Sequence, residues 1–175
     1  MIIRITIAFA VFVAIILVFA ATRPNTLRIQ RSIAISAPAE KIFPLINDLH
    51  LWKDWDPQER EDPTMTKTFG GPSSGAGAFA DWDSRGNAGK GRMTVVESVP
   101  PSKVSIRVDF VKPFQTSNMN EFTLEPAGNA TKVTWTWDGK NLYFMKVMGV
   151  FMNMDKMIGK HFDAGLENLK VVAEK

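Results

Sequence analysis

Acid–base chemistry in this chain would fall to very few side chains. The sequence has two histidines, His50 and His161, and no cysteine. A thiolate nucleophile, a thiolate zinc site and a disulfide framework are therefore excluded. Neither histidine has a second metal-type ligand at helical spacing, so no metal site is expected, and Asp48 beside His50 reads as a helix end. His161 is the better acid–base candidate, because it lies one turn after Ile158 on a helical stripe and can face an interior. Asp81 and Asp83 flank Trp82 on one face of a strand, and Glu121 lies on a neighbouring strand with Arg107 in reach. Burial of that face would raise a carboxylate pKa towards that of a useful base; the plain alternative is a solvated outer face with ordinary cross-strand pairs. Gly75-Ala76-Gly77-Ala78-Phe79-Ala80 matches the spacing of a dinucleotide fingerprint, but a strand with Trp82 follows where a helix must begin. Gly89-Lys90-Gly91 lacks the spacing of a phosphate loop. No cofactor is called for.

The apolar residues carry more information. Methionine adapts its shape to varied partners, and tryptophan often lines pockets. Met145, Met148, Met152, Met154 and Met157 fall within thirteen residues, and Trp82, Trp137, Phe114, Phe144 and Phe151 add to the aromatic content. The expected lining of a ligand cavity is Trp52, Trp55, Phe79, Phe110, Phe122, Trp135, Met154, Met157, Ile158 and His161.

The elements that must position these residues follow from periodicity. Leu27, Ile29, Ile33 and Ile35 alternate with polar residues, which is a half-buried strand broken only at Arg31. Pro38 fits the first turn of a helix with Ser36 as its N-cap, and Ile42, Phe43, Leu45, Ile46 and Leu49 form its apolar stripe. Pro57 is expected to end the short turn carrying Trp52 and Trp55. From Thr64 the pattern becomes strands joined by glycine-rich turns, among them Gly70–Gly75 and Ser84–Asn87. Val104, Ile106, Val108 and Phe110 alternate, as do Val133, Trp135 and Trp137. Leu142–Lys175 is helical, with Ile158, Phe162, Leu166, Leu169 and Val172 on one stripe. Gly159 and Gly165 cost that helix about 1 kcal/mol each relative to alanine. Close approach of the sheet, or room for a ligand, would account for them. The order strand, helix, antiparallel meander, closing helix describes a curved sheet gripping a helix around a cavity.

The first 22 residues are of another kind. Between Ile2 and Ala21 only Arg4 and Thr6 interrupt an apolar run, and about 20 such residues span a hydrocarbon core of ~30 Å. The expected organisation is a membrane-anchor helix over 1–22, a linker over 23–26 and a single domain over 27–175. A cleaved signal peptide is the alternative, leaving an exported soluble domain. Arg4 precedes the span, whereas Arg23, Arg28 and Arg31 follow it, which leaves the side of the membrane open. Beyond that segment 20 basic side chains (the chain's 21 less Arg4) and 18 acidic ones are scattered, and nucleic acid is excluded as a partner because it requires a concentrated basic patch. A chain beginning near Thr26 is expected to be soluble and monomeric.

The chain resembles the SRPBCC superfamily, the START-like group of polyketide cyclases, dehydrases and lipid-transport proteins related to Bet v 1. The resemblance runs from about Leu27 to the C-terminus. It rests on Ala37–Phe43, Trp52–Pro57, Gly91–Thr94 with Glu97–Pro101, Phe122–Pro126, Thr131–Trp135, Met154–Lys156 and Gly165–Lys170. It implies an α+β helix-grip fold: a seven-stranded antiparallel sheet wrapped round a long C-terminal helix, enclosing an apolar cavity. It implies no catalytic residue, since members range from carriers to aromatases and co-chaperone domains. The leading expectation is a membrane-tethered domain that binds a small hydrophobic ligand such as a lipid, isoprenoid or polycyclic aromatic. The alternatives are a cyclase- or dehydratase-like enzyme and a protein-interaction module of the same fold.

Overall fold

A computed structural model describes residues 2–86, 88–112 and 115–175; Phe114 and Asn87 lie outside the described residues. The elements are α1 (Ile2–Ala21), β1 (Thr26–Ile35), α2 (Ala39–Asn47), a 3-10 turn (Leu49–Asp54), α3 (Pro57–Glu61), β2 (Thr66–Gly70), β3 (Phe79–Asp83), β4 (Lys90–Val99), β5 (Lys103–Lys112), β6 (Thr116–Ala127), β7 (Ala130–Lys140), α4 (Tyr143–Phe151) and α5 (Met154–Ala173). The strands form one antiparallel sheet in the order β1-β7-β6-β5-β4-β3-β2. Register shifts in β4 at Lys90/Gly91 and Val95/Glu97 add the local twist that lets such a sheet curl. This is the helix-grip architecture, with α5 in the grip.

Alternation sets the two faces. Ile29, Ile35, Val95, Val104, Ile106, Phe122, Leu124 and Val133 point inward and are buried with Ile42, Ile46, Leu166 and Leu169. Arg31 keeps the parity of β1 and so also points inward. There it meets α5, donating from Nη1 and Nη2 to the Asp155 carboxylate at 3.1 and 2.9 Å, with Asp163 at 3.4 Å. This contact explains Gly159, where a Cβ would collide with the Arg31 guanidinium. At Gly165 a Cβ would stand 2.9 Å from the Trp135 ring. Both glycines therefore serve close approach between helix and sheet.

Several local expectations need correction. Pro38, not Ser36, occupies the N-cap of α2; the Ser36 N–H instead donates to Glu174 Oε1 at 2.7 Å, tying α2's entry to the end of α5. Pro57 opens α3 at its first turn as well as closing the 3-10 turn, where its missing N–H costs nothing. The C-terminal helical region is two helices, because Asn153 breaks the chain and caps α5, its Oδ1 accepting from the Lys156 N–H at 2.9 Å. As expected, the run Gly75–Ala80 leads into β3 and not a helix, with Gly75 and Gly77 at φ +79° and +91°, a conformation that suits only glycine well.

From Ile7 onward helix α1 is apolar on every side. Over Ile3–Ala21 its mean hydropathy is 2.7 and only 6% of it is buried, so by length and composition it can cross a membrane. It touches the domain near its end, where the Tyr143 hydroxyl donates to the Leu17 carbonyl at 2.8 Å.

Candidate functional site

The two tryptophans after α2 do structural work that the sequence does not announce. A helix leaves its last carbonyls without intrahelical partners. The Trp52 Nε1–H donates to Ile46 O at 2.9 Å and the Trp55 Nε1–H to Leu45 O at 2.8 Å. These bonds draw both indoles beneath α2, where they pack edge to face with Phe122 and Trp135. Trp135 in turn stacks on Phe162 of α5 at 4.3 Å, and its Nε1–H donates to Asn120 Oδ1 at 2.8 Å. This aromatic cluster packs the tryptophan turn against the sheet and α5.

Beside the cluster lies a cavity of about 760 Å³. Its sheet wall is built from Trp82, Met93, Val108, Phe110, Trp135 and Trp137, and its helix wall from Met157, Ile158, His161 and Phe162. Trp52 closes the inner end, while exposed Gln58 and Met157 mark the rim. Trp82 and Phe110 meet edge to face at 5.2 Å, and the Trp82 Nε1–H is held by Ala88 O at 3.1 Å.

Polar groups interrupt this apolar lining at defined places. Asp56 is 5% exposed and sits 3.4 Å from His161 Nε2. Glu59 on α3 and Lys67 on β2 form a buried ion pair in the wall. Burial pushes the Glu59 carboxyl above its ordinary range, and the Lys67 ammonium opposes that rise. Asn118 and Asn120 project from β6 into the same space. Among the described residues, no group of three or more His, Asp or Glu side chains converges as a metal site would require.

Of the residues expected to line a cavity, the structure gathers Trp52, Phe110, Trp135, Met157, Ile158 and His161 around this one. Trp55 and Phe122 stand behind it, each fully buried in the core. Phe79 shares parity with Asp81 and Asp83 and so lies on the outer face, under the Arg92 guanidinium at 4.2 Å. Met154, the first residue of α5, turns towards α4 and lines a separate groove.

The candidate carboxylates are elsewhere. Asp81 accepts twice from Arg92 at 2.7 Å, and that bidentate bond holds its carboxyl below the usual range. Asp83 accepts from Lys90 at 2.8 Å and is lowered for the same reason. Glu121 pairs with Lys103 at 3.1 Å and not with Arg107, which bonds Asp109. All three are outer-face ion pairs, so of the acid–base candidates only His161 reaches the cavity. Asp56, Glu59, Lys67, Asn118, Asn120, Trp82 and Trp137 were not anticipated as lining. For Trp137 the signal was present, since it shares the alternation of Val133 and Trp135. The polar residues gave none, because a lysine or asparagine in a strand ordinarily reads as solvent-facing.

Solved structures share this architecture. Major latex-like protein 151 from Panax ginseng superposes with a TM-score of 0.62 at 11% identity, covering 87% of this chain and 100% of that one. The solution structure of the Aha1 dimer from Colwellia psychrerythraea gives 0.56 at 22% identity, over 85% and 96% of the two chains. The di-domain ARO/CYC BexL from the BE-7585A biosynthetic pathway gives 0.64 at 14% identity, over 90% of this chain and 53% of that one. At such identities the likeness is one of fold. Among curated proteins none matches the sequence. The sequence profile described as polyketide cyclase / dehydrase and lipid transport matches residues 26–174, which is the whole sheet and all of α5. The chain after α1 therefore belongs to the polyketide cyclase/dehydrase and lipid-transport family.

Proposed function

We propose that this protein is a membrane-tethered binder of a small, largely apolar ligand held between the sheet and α5. The observation that carries this reading is the 760 Å³ cavity with its tryptophan, phenylalanine and methionine walls. Burying about 300 Å² of ligand apolar surface at ~25 cal/mol per Å² yields roughly 8 kcal/mol, the scale of micromolar affinity. The ligand class is a lipid, isoprenoid or polycyclic aromatic bearing a polar group, which Asn118, Asn120 or His161 meets. Titration with a fluorescent fatty acid, a prenyl alcohol and a polycyclic aromatic is expected to give saturable binding with at least one class. No saturable binding to any of them would sink the proposal.

The Asp56–His161 pair favours a second reading, in which His161 moves a proton on a bound carbonyl compound while Asp56 orients it. Mass spectrometry of the recovered ligand separates the two. A molecule returned unchanged supports binding alone, and one returned lighter by a water supports the second reading. The interaction-module alternative finds less support, because the outer sheet face carries the ion pairs Asp81–Arg92, Asp83–Lys90, Arg107–Asp109 and Lys103–Glu121.

In this reading α1 is an uncleaved anchor and the domain is a monomer. After alkaline carbonate extraction the full-length chain is expected in the membrane pellet. Recovery as a soluble chain about twenty residues shorter would show a signal peptide instead.

A further inference from the structure

Lys146 is the one charged residue of α4, a helix otherwise built from Tyr143, Phe144, Met145, Val147, Met148, Gly149, Val150 and Phe151. It is nonetheless 7% exposed. Its Nζ donates to Asn25 Oδ1 at 2.6 Å, a neutral acceptor, and among the described residues it has no carboxylate at ion-pair distance. A buried ammonium with one neutral partner retains two unused donors and an uncompensated charge, which is costly unless an anion joins it.

The surroundings say what kind of anion. Lys146 lines a groove of about 500 Å³ together with Arg23, between the linker, the start of β1 and α4. Arg23 follows the apolar run of α1 by two residues, with its guanidinium 4.8 Å from the Phe19 ring. One side of the groove is apolar, with Met145, Val150, Phe151 and Met152, while Thr26, Asn141 and Asn153 add polar groups to its lining; Phe151 is 68% exposed. Asp155 also borders the groove, but its carboxylate is taken by Arg31. The hydrogen bond from Tyr143 to Leu17 fixes α4 against the last turns of α1. If α1 spans a bilayer, the two cations stand where headgroups lie and a tyrosine sits at the interface, its usual place. Two cations beside the apolar side chains of α4 match a phosphate that carries acyl chains.

We propose that this groove holds the phosphate of an anionic membrane lipid, with Lys146 and Arg23 as its cations and the apolar side chains of α4 against its chains. The site is separate from the cavity under α5, and it rests on the reading of α1 as an anchor.

The test uses the full-length chain in detergent, observed by native mass spectrometry with phosphatidylglycerol, phosphatidylcholine or inorganic phosphate added. Phosphatidylglycerol is expected to be retained about ten-fold or more over phosphatidylcholine, whose trimethylammonium offsets the phosphate charge and is repelled by the two cations. Lys146→Met should erase that preference and Lys146→Arg should keep it, with circular dichroism confirming that both variants are folded. Inorganic phosphate at millimolar concentration should not displace the lipid. Equal retention of the two lipids, or an unchanged preference in Lys146→Met, in a chain that still pellets in carbonate would overturn the site and leave the anchor standing. Displacement by inorganic phosphate would make it a free-phosphate site and overturn the lipid assignment. A soluble, shortened chain would overturn the anchor, and this proposal with it.

Discussion

Replacing Trp135 with alanine is expected to destabilise the fold by about 3–5 kcal/mol, and to lower the melting temperature by roughly 10 °C for a chain of this size. Trp135 is 3% exposed and is the hub of the aromatic cluster: Trp52, Trp55, Phe122 and Phe162 all pack on it. Its removal leaves a hole that these rings cannot close, since Trp52 and Trp55 are held by their bonds to α2. It also strands the acceptor on Asn120. Trp135→Phe keeps a ring against Phe162 and loses the indole hydrogen bond, so a smaller cost of about 1–2 kcal/mol is expected. Urea unfolding followed by near-ultraviolet circular dichroism measures both. A loss below about 1 kcal/mol for the alanine variant would mean that the cluster does not organise the core.

The second large effect is expected at Lys67. Its ammonium and the Glu59 carboxylate are 8% and 10% exposed. Lys67→Met leaves the carboxylate buried without its counter-charge, at a cost of about 3–5 kcal/mol near neutral pH. Burial already holds Glu59 above its ordinary value of 4.5 with the lysine present, and removing the lysine raises it further. A carboxyl with a raised folded pKa keeps its proton longer in the native state than in the unfolded one. Stability from this group is thus greatest in acid and falls as pH rises through the folded pKa. Lys67→Met should therefore lose stability as pH rises above the ordinary carboxylate range, whereas the double variant Glu59→Gln, Lys67→Met should not show that loss and should recover most of the stability. A single variant whose stability does not change with pH would refute the assignment. The outer-face carboxylates Asp81 and Asp83, lowered by Arg92 and Lys90, act oppositely: their contribution is present above the ordinary carboxylate range and is lost as pH falls.

The fold was legible wherever one face of an element is buried and the other wet. β1, β5 and β7 announced themselves through alternation, and α5 through Ile158, Phe162, Leu166 and Leu169. The break between α4 and α5 was less visible, because the residues on both sides of Asn153 are apolar and rich in methionine. Ser36 had the right chemistry for a cap, but the Glu174 carboxylate from the far end of the chain claimed its backbone. The cavity's polar lining was the hardest to foresee. In Thr66-Lys67-Thr68-Phe69 nothing marks the lysine as inward. Its direction is set by pairing with Trp82 across the strand, a partner fifteen residues away in sequence. Asn118 and Asn120 likewise acquire an interior role only from Phe122 and Leu124 continuing their face.

The aromatic cluster beneath α2 also has a kinetic meaning. Trp52 and Trp135 line the cavity on the side of α2, with Trp55 and Phe122 fully buried beside them. For the ligand binding proposed above, exchange then takes place at the rim marked by Gln58 and Met157, and a more tightly held ligand is a more slowly exchanged one. A binder of that kind equalises the supply of its ligand between two compartments.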